Sequence, residues 1–180
     1  MTNTESAIAV TVRPAAEADL PAINAIYNRE ITDGIATWDT EPWSDEQRAE
    51  WLRAHRMPGA VALVAVDEAG EVLGFGYLAF YKERRGYRFT REDTLYVRPE
   101  SQGRGVGRAI LEALIAEARA LDVHVLIARI EASNAASIAL HEAFGFEITG
   151  RERETGFKFG EWRSLVQMEK LLPTFNDEVC

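Results

Sequence analysis

Apolar residues recur with two different periods along this chain. From Val106 they fall at Ile110, Leu111, Leu114, Ile115, Ala118 and Leu121. That spacing predicts an amphipathic helix with one buried face. Leu20, Ile23, Ile26, Tyr27 and Ile31 repeat it within 18–32 and predict another. Ser44, followed by Glu46 and Gln47, reads as the N-cap of a helix running to about Met57, before Pro58-Gly59. Residues 135–144 make a short helix closed by Gly145. Elsewhere the apolar runs are short and rich in β-branched or aromatic residues. Strands are expected at 8–13, 60–66, 71–81, 92–98, 124–130, 146–155 and 161–171. DEAG (67–70) joins the second and third as a hairpin, and a turn around Lys158–Gly160 separates the last two. The order is β-α-α-β-β-β-α-β-α-β-β. Antiparallel hairpins mixed with β-α-β crossovers predict an α/β (α+β mixed) fold. Its sheet is mixed, mostly antiparallel and about seven-stranded, with four helices on its faces. There is no repeat, low-complexity tract or linker, so 8–172 reads as one domain between flexible tails at 1–7 and 173–180.

Composition narrows the function classes. The 180 residues suit a single domain with a sizeable core. A net charge of −9 argues against a general nucleic-acid binder. The basic residues are unevenly spread: eight of the 20 Lys and Arg lie between Lys82 and Arg108, against four acids. An acidic chain with one basic segment points to a small anionic ligand, or alternatively to a solvated surface. The only cysteine is Cys180, so no intrachain disulfide forms, which fits a reducing cytoplasm. No apolar run approaches the length of a membrane span and the N-terminus lacks signal-peptide features, so no membrane partner is expected. Three scattered histidines and a terminal cysteine give no metal-ligand spacing.

The segment QGRGVGR, Gln102 to Arg108, joins the strand ending in DTLYV to the Val106 helix. Alternating glycines at a strand-to-helix junction let backbone approach a ligand and leave N–H groups free at the positive end of a helix, a phosphate-binding arrangement, the alternative being a glycine-rich turn with no ligand. The phosphate-loop pattern fails because no Lys-Ser/Thr follows, and the dinucleotide fingerprint fails because Arg108 stands where glycine is required.

Order and motifs together resemble the GNAT acetyltransferase superfamily. QGRGVG matches its first signature between the fourth strand and third helix, and NAASIALHEAFGF (134–146) resembles its second. Within the superfamily, AIYN (25–28), TWDTEP (37–42), REDTLYV (91–97), SIALHEAFGF (137–146) and KFGEW (158–162) are similar to the phosphinothricin N-acetyltransferases and related bacterial amino-acid N-acyltransferases. The resemblance implies acetyl-CoA as co-substrate, no metal, a small-molecule amine as acceptor and a homodimer.

It also implies residue roles. The pyrophosphate of CoA would sit on the backbone of Gly103, Arg104, Gly105, Val106, Gly107 and Arg108, with Gln102 shaping the loop. Leu95, Tyr96 and Val97 match the strand whose backbone pairs with the pantetheine arm, and an N–H near Val97 would polarise the thioester carbonyl. Asn134 and Ser137 match positions beside that arm, Asn134 also being a natural N-cap. Glu92 matches the catalytic glutamate that takes a proton from the amine; the other reading is a solvated acid at the strand start. Asp93 is its nearest competitor, but period-two geometry points it to the opposite face. His141 stands where much of the superfamily has a tyrosine that protonates the leaving thiolate. Its role as acid, base or structural hydrogen-bonder stays open. It shares a helix face with Asn134 by i, i+7 spacing.

The substrate segment of the family aligns with Arg85, Gly86 and Tyr87, with Arg88 adjacent; arginine forks suit a carboxylate or phosphinate. Thr37 and Trp38 would cover the pocket, Trp38 reading equally as a loop anchor. Ser164 departs from the acid that relatives carry after KFGEW. The expected reaction is direct transfer of acetyl from acetyl-CoA to the α-amino group of a small amino acid or analogue of the phosphinothricin, methionine sulfone or methionine sulfoximine type. The alternatives are an acetyltransferase for protein N-termini and a non-catalytic CoA-binding module.

Overall fold

The computed structural model describes residues 9–173; the expected start of the first strand at Ile8, the N-terminal tail, and 174–180 with Cys180 lie outside them. Seven strands and four helices alternate as expected: β1 Thr11–Pro14, α1 Leu20–Asp33, α2 Asp45–Ala54, β2 Val61–Val66, β3 Val72–Phe80, β4 Thr90–Val97, α3 Val106–Ala120, β5 Val125–Glu131, α4 Ala135–Ala143, β6 Glu147–Lys158 and β7 Glu161–Leu171. They form one sheet in the order β1-β2-β3-β4-β5-β7-β6. β4 and β5 are its one parallel pair, and the others are antiparallel.

Side-chain alternation builds a core on each face. In β2, Leu63 and Ala65 pack toward Ile110, Leu111 and Leu114 of α3. Ala62, Val64 and Val66 point the other way, toward Ile23 and Ile31 of α1 and Trp51 and Leu52 of α2. A strand covered on both faces reads as a continuous apolar run, as β2 does. Gly76 of β3 brings α3 close, because an added Cβ would overlap Ile110. The α2 start is a capping box: Gln47 N donates to Ser44 Oγ at 3.3 Å, and Ser44 N donates to Gln47 Oε1 at 2.8 Å.

Several boundaries differ from expectation; β1 begins at Thr11, with residues 9 and 10 outside it. β4 begins at Thr90 rather than 92 because buried Arg91 finds acceptors inside the fold, Gly59 O at 2.9 Å and Arg88 O at 2.8 Å. α2 stops at Ala54, with His55 in a non-helical conformation. β6 continues to Lys158, whose ammonium is buried against backbone carbonyls described below.

Candidate active site

The sheet opens where its two parallel strands part. β4 pairs with β3 from Arg91 to Val97. It pairs with β5 from Thr90↔Val125 to Asp93↔Ala128. Beyond that point β5 stays with β7, and the β5-facing edge of Leu95, Tyr96 and Val97 has no ladder partner. Backbone groups in such a wedge need external partners.

A cleft of about 540 Å³ fills the mouth of the wedge. It is bounded by Leu95, Tyr96 and Val97, by Gln102, Gly103, Gly105, Gly107 and Arg108, and by Asn134 and Ser137. Ten of the twelve expected cofactor residues therefore meet around one space, the exceptions being Arg104 and Val106. Val106 anchors the loop in the core with a side chain 1% exposed. Gly103 and Gly105 have φ of 71° and 89°, and their Cβ positions meet nothing, so they serve backbone conformation rather than space. Gly105 leads directly into α3, whose first N–H groups have no intrahelical acceptor. Arg108 lies over the Phe144 ring at 5.0 Å, and Gln102 Nε2 donates to Val97 O at 3.4 Å. Asn134 Oδ1 accepts from Ser137 N at 3.1 Å, so the N-cap reading holds alongside its place on the cleft.

Deeper in the wedge is a cavity of about 60 Å³ that shares Ala36, Leu95, Tyr96, Asn134 and Ser137 with the cleft. Asp93, Arg129, Glu131 and His141 supply its charged lining. Alternation along β4 divides these groups. Tyr96 packs in the α1–α2 core, so Glu92 and Thr94 share its face. Asp93, Leu95 and Val97 face α3 and α4, as Leu95 and Val97 show by packing on that core. Glu92 is half-buried, and burial raises its pKa; Arg129 opposes the shift, while Asp93 and Glu152 add to it. Arg129 Nη2 donates to both carboxylate oxygens of Glu152 at 2.8 Å.

His141 is buried with both ring nitrogens engaged. Nδ1 lies 2.7 Å from Ser137 O and Nε2 lies 3.0 Å from Asp93 Oδ2. Burial pulls its pKa down, but the hydrogen bond and charge of Asp93 outweigh this, with help from the Ser137 carbonyl, and the net shift is upward.

The expected acceptor-side residues do not line either space. Thr37 is buried, its hydroxyl 3.1 Å from Tyr27 Oη. Trp38 lies on Gly156 of β6, where any Cβ would overlap its ring, so it anchors the 34–44 loop. Lys158 fixes the same loop: its Nζ donates to Glu30 O at 3.0 Å and Thr37 O at 2.8 Å. Burial lowers the Lys158 pKa against the pull of Glu30 and Asp39. Arg85, Gly86 and Tyr87 form an exposed helical turn before β4, and Arg88 lies over Phe89 at 4.2 Å. Ser164 Oγ accepts from Glu154 N at 3.0 Å.

Arg129, the Asp93 contact to His141 and the Lys158 tie are absent from the sequence expectations. Strand alternation alone separates Asp93 from Glu92, but its partner follows only from where α4 lies. Among the described residues, no cluster of three or more His, Cys, Asp or Glu is arranged to hold a metal, and no helix is long and apolar enough to cross a membrane.

Comparison with known proteins adds names to this geometry. The family described as "Acetyltransferase (GNAT) family" matches residues 23–146. An L-methionine sulfoximine/L-methionine sulfone acetyltransferase from Pseudomonas paraeruginosa is 43% identical over 162 residues, covering 90% of this chain and 94% of its own. A solved ribosomal-protein-alanine N-acetyltransferase from Brucella melitensis is 44% identical with a TM-score of 0.87, over 90% of this chain and 99% of its own. A GNAT-superfamily phosphinothricin acetyltransferase from Sinorhizobium meliloti, solved in complex with AcCoA, is 38% identical with a TM-score of 0.88, over 91% of this chain and 88% of its own.

Proposed function

The chain belongs to the acetyltransferase (GNAT) family, and on that premise we propose that it moves acetyl from acetyl-CoA to the α-amino group of a small amino acid or amino-acid analogue, both substrates being bound together. One observation carries the reading: a cleft runs from a positive helix end to an unpaired strand edge, and half-buried Glu92 stands on that strand. The free N–H groups at the start of α3, with Arg104 and Arg108 nearby, suit the pyrophosphate. The open edge of Leu95–Val97 suits the amide-bearing pantetheine arm, added as a further strand, and an N–H near Val97 polarises the thioester carbonyl.

An aliphatic α-amine is largely protonated at neutral pH, with a pKa of about 7.7–8.0 even in a peptide. Glu92 removes that proton, directly or through water, and its upward-shifted pKa brings it nearer the amine's. His141 supplies acid to the leaving thiolate. The exposed turn of Arg85 and Arg88, outside both spaces, offers guanidinium groups to the acceptor's anionic end, and the 34–44 loop, anchored by Trp38, reaches the cleft through Ile35 and Ala36. The names of the Pseudomonas and Sinorhizobium relatives support an amino-acid acceptor. The Brucella relative's name supports a second reading, acetylation of a protein N-terminus. We further place the chain in the cytoplasm as a homodimer; exposed Phe157, Phe159 and Trp162 on the β6–β7 hairpin support an interface there.

The test follows free thiol in an amine panel containing methionine sulfone, methionine sulfoximine, phosphinothricin, the common amino acids and peptides beginning with alanine. Thiol release is expected to be fastest with a free amino acid or analogue; faster release with peptides would select the second reading. Glu92→Gln should retain acetyl-CoA binding and lose about 10²–10⁴-fold in turnover. Wild-type turnover in that variant would remove Glu92 as the base.

A further inference from the structure

The two ring nitrogens of His141 face different acceptors, and that fixes where protons must be. Nδ1 faces the Ser137 carbonyl, which only accepts, so Nδ1 carries hydrogen. Nε2 faces a carboxyl oxygen of Asp93 at 3.0 Å, and a hydrogen bond there needs one further proton on the pair. Both side chains are sealed, 3% exposed for His141 and 1% for Asp93. The second carboxyl oxygen of Asp93, Oδ1, is buried without a partner. Both residues line the deep end of the wedge, on the α4 side of the sheet and away from Glu92.

We propose that Asp93 is a positioning residue for departure of the thiol: it holds His141 as a two-fold N–H donor, so that the pair keeps one transferable proton at the deep end of the wedge. This rests on the proposed acetyl transfer, in which the thioester lies between β4 and β5. The amine nitrogen bonds to the acetyl carbon and loses a proton to Glu92. The carbon–sulfur bond breaks, its electron pair going to sulfur. Sulfur takes the proton shared by Nε2 and Oδ2, and the pair regains one from solvent once CoA has left. Glu92 and Asp93, adjacent in sequence, thus serve opposite halves of the reaction from opposite faces of one strand.

The surrounding charges leave Asp93 as the partner that matters. At the cavity, Arg129 is engaged by Glu152, and Glu131 accepts from Ser133 N at 2.7 Å. On β5, Ala128 and Ile130 line the cavity with His141, and their β7 partners, Met168 and Val166, are apolar and buried. The Phe146 ring meets the imidazole edge-on at 5.0 Å. Lys170 Nζ is bound to Phe144 O, Arg108 lies over the Phe144 ring, and Glu142 is exposed. Without Asp93, burial would favour the neutral ring.

Asp93→Asn keeps size and a hydrogen-bonding partner but removes the carboxyl. A ring with a pKa at or below about 6.5 is protonated at most about one part in 30 at pH 8. Turnover at pH 8 should therefore fall at least about 30-fold, the alkaline limb of kcat should move to lower pH, and acetyl-CoA affinity should hold. A second measurement needs no Asp93 variant: the nitrogen NMR signals of His141 in the wild-type protein, assigned with His55→Gln and His124→Gln, should remain those of an imidazolium at pH 8. A neutral wild-type ring at pH 8, or an Asp93→Asn variant with unchanged turnover and limb, overturns the proposal alone. A wild-type chain that binds acetyl-CoA yet releases no thiol with any amine overturns the functional reading and this proposal together.

Discussion

Replacing Lys158 with Met should loosen the 34–44 loop and raise the KM for the amine. The ammonium sits at the end of β6 and donates to two carbonyls on other parts of the chain, Glu30 O and Thr37 O. The two carbonyls are not equally dependent on it. Glu30 O also accepts from Gly34 N at 3.1 Å, so it keeps a partner when the lysine is lost. Thr37 O is left buried and unpaired, at a cost of about 1–3 kcal/mol. The methionine retains most of the buried stem, and removing a desolvated charge offsets part of the loss. The net expectation is a smaller destabilisation, about 0.5–2 kcal/mol, or a Tm lower by about 1–8 °C for a chain of this size. Because Ala36 of the same loop lines both the cleft and the deep cavity, the loss should reach the active site. Each 1.4 kcal/mol that substrate must spend restoring the loop corresponds to about a tenfold rise in KM. Thermal unfolding and thiol-release kinetics on the same preparation test both halves. A variant with wild-type Tm and wild-type amine KM would show that the loop is held by Trp38 on Gly156 and by the Tyr27–Thr37 contact instead, and that the two bonds to Lys158 contribute nothing.

Two further substitutions probe the pH response and the glycine loop. Arg129 holds the Glu92 pKa down against burial, so Arg129→Ala should move the acidic limb of kcat/KM to higher pH, and an unmoved or lowered limb would remove Glu92 as the group reporting that limb. Gly105→Ala places an L-residue at φ 89° with free space around its Cβ, so the penalty is backbone strain of about 1–2 kcal/mol. Calorimetry should find acetyl-CoA bound about 5–30-fold more weakly; an unchanged Kd would mean that the loop conformation is not the one that binds.

The elements that reported themselves in the sequence are those whose burial is apolar. α3 places Ile110, Leu111, Leu114, Ile115 and Ala118 on one face, and each is buried. The glycines at 70 and 145 mark their turns because both have positive φ. Two of the misplaced boundaries turn on buried cations. Arg91 and Lys158 sit inside strands yet read as loop residues, because a cation is normally solvated. Each donates to a backbone carbonyl distant in sequence, Arg91 to Gly59 O and Lys158 to Glu30 O and Thr37 O, and no local pattern encodes a distant carbonyl.

The site divides along the same line. The glycine loop is legible because its chemistry is local: positive φ, a helix start and two arginines within seven residues. Asn134 and His141 are legible together because one helix carries both. Contacts between elements are not. Arg129 stands in a run that reads as a buried strand, but its partner Glu152 lies two strands away across β7. Asp93 makes the sharper case. Period-two alternation excludes it as the base by turning it away from Glu92, and in an isolated strand that exclusion would leave it without a role. In this sheet the second face is covered by α4, so the turn that takes Asp93 away from Glu92 delivers it to His141, 48 residues on. Adjacent carboxylates on a strand covered on both faces are thus separated into two environments, one whose pKa burial shifts upward and the other committed to a buried imidazole.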